Sequence, residues 1–227
     1  MRACTLTIVM PVLNEAAGLG AALQALAAFK ARGVQVIVVD GGSSDGTAAL
    51  AQAAGAAVIT APRGRAVQMN AGAQHGSAGV LLFLHADTAL PTDADRLIAQ
   101  ALTNGQTVWG RFDVRIAGQS PMLQVVAGLM NLRSRLSGIA TGDQAIFMTR
   151  TAFDAVGGFA SQPLMEDIEI SKRLRRLSRP ACLRAKVTTS GRRWETRGVW
   201  RTVLLMWRLR FAYWRGAAPE RLAKLYR

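Results

Sequence analysis

The chain has 227 residues, half of them hydrophobic, with 28 Lys and Arg against 14 Asp and Glu, a net charge of +14. That length and apolar fraction suit one domain with a full core and exclude a disordered chain. The longest clean apolar stretches are strand-length, and the late run Val203 to Trp214 is broken by Arg208 and Arg210, which excludes a membrane-spanning helix.

The alternation Thr5, Leu6, Thr7, Ile8 predicts a first strand over Thr5 to Val9, too short an apolar stretch for a signal peptide. Further strands are predicted at Val34 to Val39, Ala57 to Thr60 and Val80 to Leu84. Helices are predicted between them at Gly18 to Lys30, Asp45 to Ala54, Ala66 to Gln74 and Asp93 to Leu102. Strand and helix alternating at this spacing mean βαβ units, hence an α/β fold with a mostly parallel sheet flanked by helices. Right-handed crossovers place the loops after the first, second and fourth strands along one edge, gathering Asn14, Glu15, Asp40 and Asp87 into one cleft. After Thr107 the alternation fades. Met122 to Leu136 and Ile168 to Leu177 read as helices, Ala145 to Met148 and Val187 to Thr189 as extended segments.

The charge sits late in the chain. From Arg133 onward there are 20 Lys and Arg against 7 Asp and Glu, so +13 of the +14 lies there. An anionic partner is implied: nucleic acid, lipid headgroups or a phosphate-bearing substrate. In Val199 to Arg215 the residues Trp200, Val203, Leu204, Trp207, Phe211 and Trp214 fall on one helical stripe, flanked by Arg201, Arg208 and Arg215. Such a helix lies on an anionic bilayer surface, or packs on the rest of the chain or on a second copy as a homodimer. The expected division is therefore residues 1–197 as the main domain and 198–227 as a basic amphipathic extension. Cys4 and Cys182 lack the spacing of a zinc site or redox pair, which fits free thiols in a reducing cytoplasm.

Two apolar runs stop on carboxylates. The second strand ends at Asp40, and Val80 to Leu84 leads through His85 and Ala86 to Asp87. Asp40-Gly41-Gly42-Ser43-Ser44-Asp45-Gly46-Thr47 is a small, hydroxyl-rich turn in which Asp40 can accept hydrogen bonds from a base or ribose. Its bland reading is a tight turn with Ser44 or Asp45 capping the next helix. Neither a Gly-Lys-Ser/Thr phosphate loop nor a G-x-G-x-x-G fingerprint is present. Asp87, past a central strand, can hold a hard divalent cation whose other ligands come from a nucleoside diphosphate. The neutral ring of His85 can help hold the ion or ribose. Glu166, Asp167 and Glu169 open a helical pattern; three acids in four residues exceed what the helix dipole calls for, and one of them, set across the cleft from Asp87, can serve as general base.

Taken in order, these segments resemble the family 2 glycosyltransferases of GT-A (Rossmann-like) fold. The resemblance runs through Pro11-Val12-Leu13-Asn14-Glu15, Val38-Val39-Asp40 and the turn after it, Arg63-Gly64-Arg65 leading to Asn70-Ala71-Gly72, Phe83-Leu84-His85-Ala86-Asp87, Gly157-Gly158-Phe159, and Glu166-Asp167 with Arg173-Leu174. It implies a metal-dependent, inverting transfer from a nucleotide sugar, most simply a UDP-sugar. Pro11, Asn14, Glu15, Asp40, Arg65, Asn70, His85 and Ala86 would contact the donor, with Asp40 facing the base. Asp87 matches the last position of the family's D-x-D and would bind Mg²⁺ or Mn²⁺; His85 stands where the first aspartate would be. Asp167 matches the catalytic base. Gly142, Asp143, Glu166, Arg192, Arg193 and Trp194 are candidate contacts to the leaving group or acceptor. Ser190-Gly191-Arg192-Arg193-Trp194 resembles the Q-x-x-R-W signature of processive synthases with Ser190 in place of glutamine. No membrane channel follows, which argues against polysaccharide synthesis. His85-Ala86-Asp87 with Gly142-Asp143-Gln144 is similar to a small stand-alone bacterial subgroup associated with arsenosugar biosynthesis. The acceptor is unspecified, a small molecule or a lipid-linked one, and the expected location is the cytoplasm or the inner face of the plasma membrane. The competing classes are a nucleotidyltransferase, which would be expected to carry an N-terminal Gly-rich loop with lysine, and a non-catalytic protein binding nucleic acid or a membrane surface. Nucleic acid is disfavoured because Asp40, Asp87 and Asp167 would repel its phosphates.

Overall fold

The computed structural model of the chain describes residues 6–226, so Cys4 and the start of the predicted first strand at Thr5 lie outside the described residues. The first half comprises β1 (Leu6–Val12), α1 (Ala16–Ala25), α2 (Ala27–Ala31), β2 (Gln35–Asp40), α3 (Thr47–Ala53), β3 (Ala57–Thr60), α4 (Arg65–His75) and β4 (Val80–Phe83). The second comprises β5 (Thr88–Ala89), α5 (Ala94–Leu102), β6 (Trp109–Ala117), α6 (Met122–Ser137), a 3-10 turn (Gly142–Gln144), β7 (Phe147–Thr149), α7 (Arg150–Ala155), α8 (Glu166–Leu174), β8 (Ala181–Ser190), α9 (Arg192–Arg197), α10 (Val199–Trp214) and α11 (Pro219–Tyr226). The single helix expected over Gly18 to Lys30 is broken at Leu26, whose N–H bonds back to Leu23 in a tighter turn.

One eight-stranded sheet runs in the order β3-β2-β1-β4-β7-β6-β8-β5. The half β3-β2-β1-β4 is parallel, as the alternation of strands and helices required. Its strands are continuous apolar runs because helices cover both faces. Ile8, Met10, Val36, Val38 and Leu82 enter one core, while Val9, Ile37, Val39, Leu81 and Phe83 enter the other, the two-residue period of a pleated strand. Gly72 lets α4 approach this sheet closely, since a Cβ there would stand 2.3 Å from Val9 Cγ1 and 2.9 Å from Val39 Cγ2. The Asn70-Ala71-Gly72 motif is thus partly a packing device.

The other half is mixed. β7 is antiparallel to both β4 and β6, β5 is antiparallel to β8, and β6 is parallel to β8. β6 and α7 were not foreseen, and the reason for β6 is physical. It is nearly all buried yet contains Arg111 and Asp113, which break its apolar pattern. Arg111 pairs with Asp113, whose carboxylate also takes two 2.9 Å bonds from Arg135 of α6. Mutual neutralisation allows these charges inside the strand.

Candidate active site

Leaving β1, the chain builds β2 and β3 on one side, then crosses to the other side of β1 for β4. The crevice beyond the carboxyl ends of β1 and β4 is the switch point where open α/β sheets bind ligands. Pro11, Glu15, His85, Ala86 and Asp87 line a cavity of about 920 Å³ there. α4, α8 and the Gly142–Gln144 turn add Arg65, Asp143, Glu166 and Asp167 to the lining, and a third wall is built by α6 and α10.

Loop clasping sets the β1 side. Asn14 N–H donates to Ser43 Oγ (2.9 Å), Glu15 N–H to Thr47 Oγ1 (2.9 Å), and Ala16 N–H to Asp45 Oδ2 (3.0 Å). Asp45 also accepts from Thr47 N–H at 3.0 Å, so it serves the starts of α1 and α3 together. Its pKa is held below the usual carboxylate value, first by the Thr47 hydroxyl and then by the Ala16 N–H. Burial and the neighbouring Asp87 charge push the Glu15 carboxyl up.

Asp40 departs from the expectation of an open ligand contact. It is 4% exposed and already accepts from Gly42 N–H and Ser43 N–H (3.0 Å each) and from the Ser43 hydroxyl. It stands one strand from β1, in register with Val12, at the same sheet edge as the cavity but outside its lining. Asn14 likewise spends its side-chain oxygen on Ser44 N–H (2.9 Å) and does not line the cavity. Asn70 is a clamp: its amide donates to Phe159 O (2.8 Å) and accepts from Phe159 N–H (2.9 Å). Arg192 is exposed outside the lining, whereas Arg193 lines the cavity and also bonds the Tyr226 hydroxyl, stacking 3.7 Å over its ring. Trp194 lines the cavity from α9.

Asp87 is exposed and lines the cavity. Its carbonyl accepts from Ser190 N–H (3.1 Å), and Thr88 beside it bonds Thr189 Oγ1 (3.1 Å), so the short β5–β8 pairing fixes the loop. His85 lies against Gly142, where a Cβ would stand 2.5 Å from its ring. Its Nδ1 is 3.4 Å from Asp143, and its buried Nε2 has no hydrogen-bond partner among the described residues. Burial opposes the charge of Asp143, but His85, Arg65 and Arg193 hold its pKa below the usual value. Among the described residues no three His, Cys, Asp or Glu gather as a metal cage. A single open carboxylate beside an orphaned imidazole nitrogen instead suits an ion that takes most of its oxygens from a diphosphate.

The acids of α8 are sorted by their partners. Buried Glu166 pairs with Arg65 Nη1 at 3.3 Å, and Glu169 pairs with Arg173 one turn later. Asp167 has no ion pair among the described residues; it accepts from Gly142 N–H (3.0 Å) and Ile168 N–H (2.7 Å) and faces the cavity. Burial and the Glu166 charge raise its pKa to about 6. Met165, at φ 67°, turns the chain sharply into this acid pair.

Arg133 of α6 was missed by sequence reasoning. It lines the cavity with Nε and Nη2 buried and without a hydrogen-bond partner among the described residues. Burial lowers its pKa against the pull of Asp167. Its signal was an arginine on the stripe Val126, Leu129, Met130, Arg133, Ser137, where a helix facing a core carries apolar residues.

Known proteins share the fold and part of the sequence. Uncharacterized glycosyltransferases of Mycobacterium tuberculosis and Mycobacterium bovis are 34% identical over 107 residues, 46% of this chain and 47% of theirs. The match thus spans about half the length of these curated relatives. In structure, S. aureus TarS in complex with UDP-GlcNAc superposes with a TM-score of 0.67 at 15% identity, covering 82% of this chain and 58% of that one. The mannosyltransferase PcManGT from Pyrobaculum calidifontis, in complex with GDP-Man and Mn²⁺, gives 0.64 at 19% identity, covering 91% and 60%. Glucosyl-3-phosphoglycerate synthase from Mycobacterium tuberculosis, with Mn²⁺, UDP and its product, gives 0.60 at 20% identity, covering 82% and 71%. These likenesses establish the GT-A fold, and the glycosyl transferase family 2 pattern matches residues 7–160, about two thirds of the sequence: the chain belongs to glycosyl transferase family 2.

Proposed function

We propose that the chain transfers a sugar from a nucleoside diphosphate, with UDP-sugar as the donor, to an acceptor hydroxyl with inversion at the anomeric carbon. The observation that carries this reading is that Asp87 and Asp167 line one cavity from different elements, and that Asp167 alone of the α8 acids is free of an ion pair among the described residues. Solved relatives in fold that hold UDP-GlcNAc or UDP with Mn²⁺ support the donor class.

Pro11, Glu15 and Ala86 would seat the nucleoside along the β1 and β4 ends, reaching toward the Asp40 loop. Asp87, with His85 beside it, would hold Mg²⁺ or Mn²⁺, which when bound neutralises charge on the departing diphosphate. Arg65 stands ready for the same phosphates; burial works against its charge, but Glu166 and its neighbouring acids keep it firmly protonated. Asp167 takes the acceptor proton as the oxygen attacks. The base must lie opposite the leaving group, which accounts for its separation from Asp87.

Calorimetric titration with UDP in the presence and absence of Mn²⁺ tests the donor assignment. The wild-type chain is expected to bind UDP far more tightly with the ion, and Asp87→Ala to lose that enhancement. Equal affinity of the two proteins would overturn the metal role of Asp87.

A further inference from the structure

The third wall of the cavity reaches the surface as an apolar face. Val125, Leu129, Leu132 and Leu136 of α6 recur every three or four residues and are each more than half exposed. On α10 the same holds for Trp200, Leu204, Trp207, Phe211 and Trp214, the stripe read from the sequence, which turns away from the chain. α10 instead anchors itself through its other face, where Leu209 joins Leu164, Met165, Ile168 and Leu222 in a buried cluster. Leu129, Leu132, Leu136 and Trp207 belong both to the exposed face and to the cavity lining, so the mouth of the cavity opens within that face. A contiguous exposed patch of this kind marks an interaction surface.

Charge identifies what covers it. Arg201, Arg208 and Arg215 are exposed along α10, and no acidic residue occurs between Glu195 and Glu220. Tryptophans interleaved with arginines suit the headgroup layer of an anionic bilayer, where indole and guanidinium each find a polar partner over hydrocarbon. Deeper in, between this face and Asp167, lie the unpartnered Nε and Nη2 of Arg133. Buried guanidinium N–H groups left without acceptors cost free energy that an entering anion would recover.

We propose that the α6–α10 face docks on an anionic bilayer and that the acceptor is a lipid drawn from it, bearing an anionic group that meets Arg133 and a hydroxyl that reaches Asp167. This rests on the glycosyl-transfer reading and names its acceptor class. In the step, Asp167 accepts the hydroxyl proton and the lipid oxygen bonds to the anomeric carbon. The bond from that carbon to the diphosphate oxygen breaks, and its electron pair leaves with the nucleoside diphosphate. The hydrocarbon tail stays between α6 and α10, where it also shuts water out of the cavity.

Two measurements on the full chain test this. Co-sedimentation with phosphatidylcholine vesicles, with and without phosphatidylglycerol, is expected to show binding only to the anionic set, with tryptophan emission quenched by brominated acyl chains. Arg201→Gln and Arg208→Gln should each weaken binding about five-fold, and Trp214→Ser should reduce the quenching. The second measurement is calorimetry of the UDP- and Mn²⁺-loaded chain with soluble dihexanoyl phosphatidylglycerol, against tail-free glycerol phosphate. Binding of the lipid alone, weakened about ten-fold or more in Arg133→Met, supports the acceptor assignment. Failure to bind anionic vesicles, a concentration-dependent dimer that buries the tryptophans, or equal lipid affinity in Arg133→Met would each overturn the proposal. UDP titration without lipid separates these failures from failure of the donor reading.

Discussion

The neighbours of Asp167 suit it to the role of base proposed for it. Partial burial and the Glu166 carboxylate raise its pKa to about 6, while the Gly142 and Ile168 N–H groups keep its oxygens fixed. A base must be ionised to act, so kcat/KM is expected to climb as pH rises through about 6 and then level off, checked by a pH–rate profile. Asp167→Asn should cut turnover by roughly 10²-fold or more while UDP affinity stays near wild type; unchanged turnover would remove it from the mechanism. Gly142→Ala carries its Cβ into the His85 ring, and is expected to lower Mn²⁺-dependent UDP affinity and turnover together. At this scale the sequence was readable where a residue type has one use at its position. Asp87 and Asp167 ended on the cavity because carboxylates at a strand end and a helix start face the sheet edge. Asp40 and Asn70 carried equally suggestive motifs, but local partners absorb their polar groups. Arg133 was hidden because one more arginine in a basic half looks like surface charge.

Elements reach the site through loops that brace one another. Asp45 caps its own loop and the first turn of α1 at once, and the Glu15 loop hangs on it. Asp45→Ala should therefore lower the midpoint of a denaturant melt, as the loss of a cap does, and loosen UDP binding. Much of the serine- and aspartate-rich turn thus serves as structural scaffolding. Gly72→Ala tests the seating of α4 on the sheet; with 2.3 Å to Val9 Cγ1, overpacking is expected to cost about 1–3 kcal/mol and lower the melting temperature. The parallel half of the sheet was legible because its strands are uninterrupted apolar runs between helices. The mixed half was not, since β6 places an Arg–Asp pair inside the core and β8 carries exposed Arg184 and Lys186. Both break the patterns that identify strands.

For the molecule as a whole, charge and chemistry are divided between two halves. The parallel half supplies the β1 and β4 loops for a donor, and the basic later half supplies Asp167 and the α6–α10 wall. A ligand bound at their junction favours the folded state by mass action, so UDP with Mn²⁺ should raise the melting temperature in a thermal-shift assay, and chelation should return it to the value of the free chain. The turn at Gly142–Gln144 is the bridge between these halves: Asp143 faces His85 on the donor side, and Gly142 N–H holds Asp167 on the other. Two adjacent residues therefore tie His85 and Asp167 to one short turn. Steady-state kinetics should in consequence show compulsory-order addition, with the nucleotide sugar entering first and UDP departing last, and product inhibition by UDP competitive only against the sugar nucleotide.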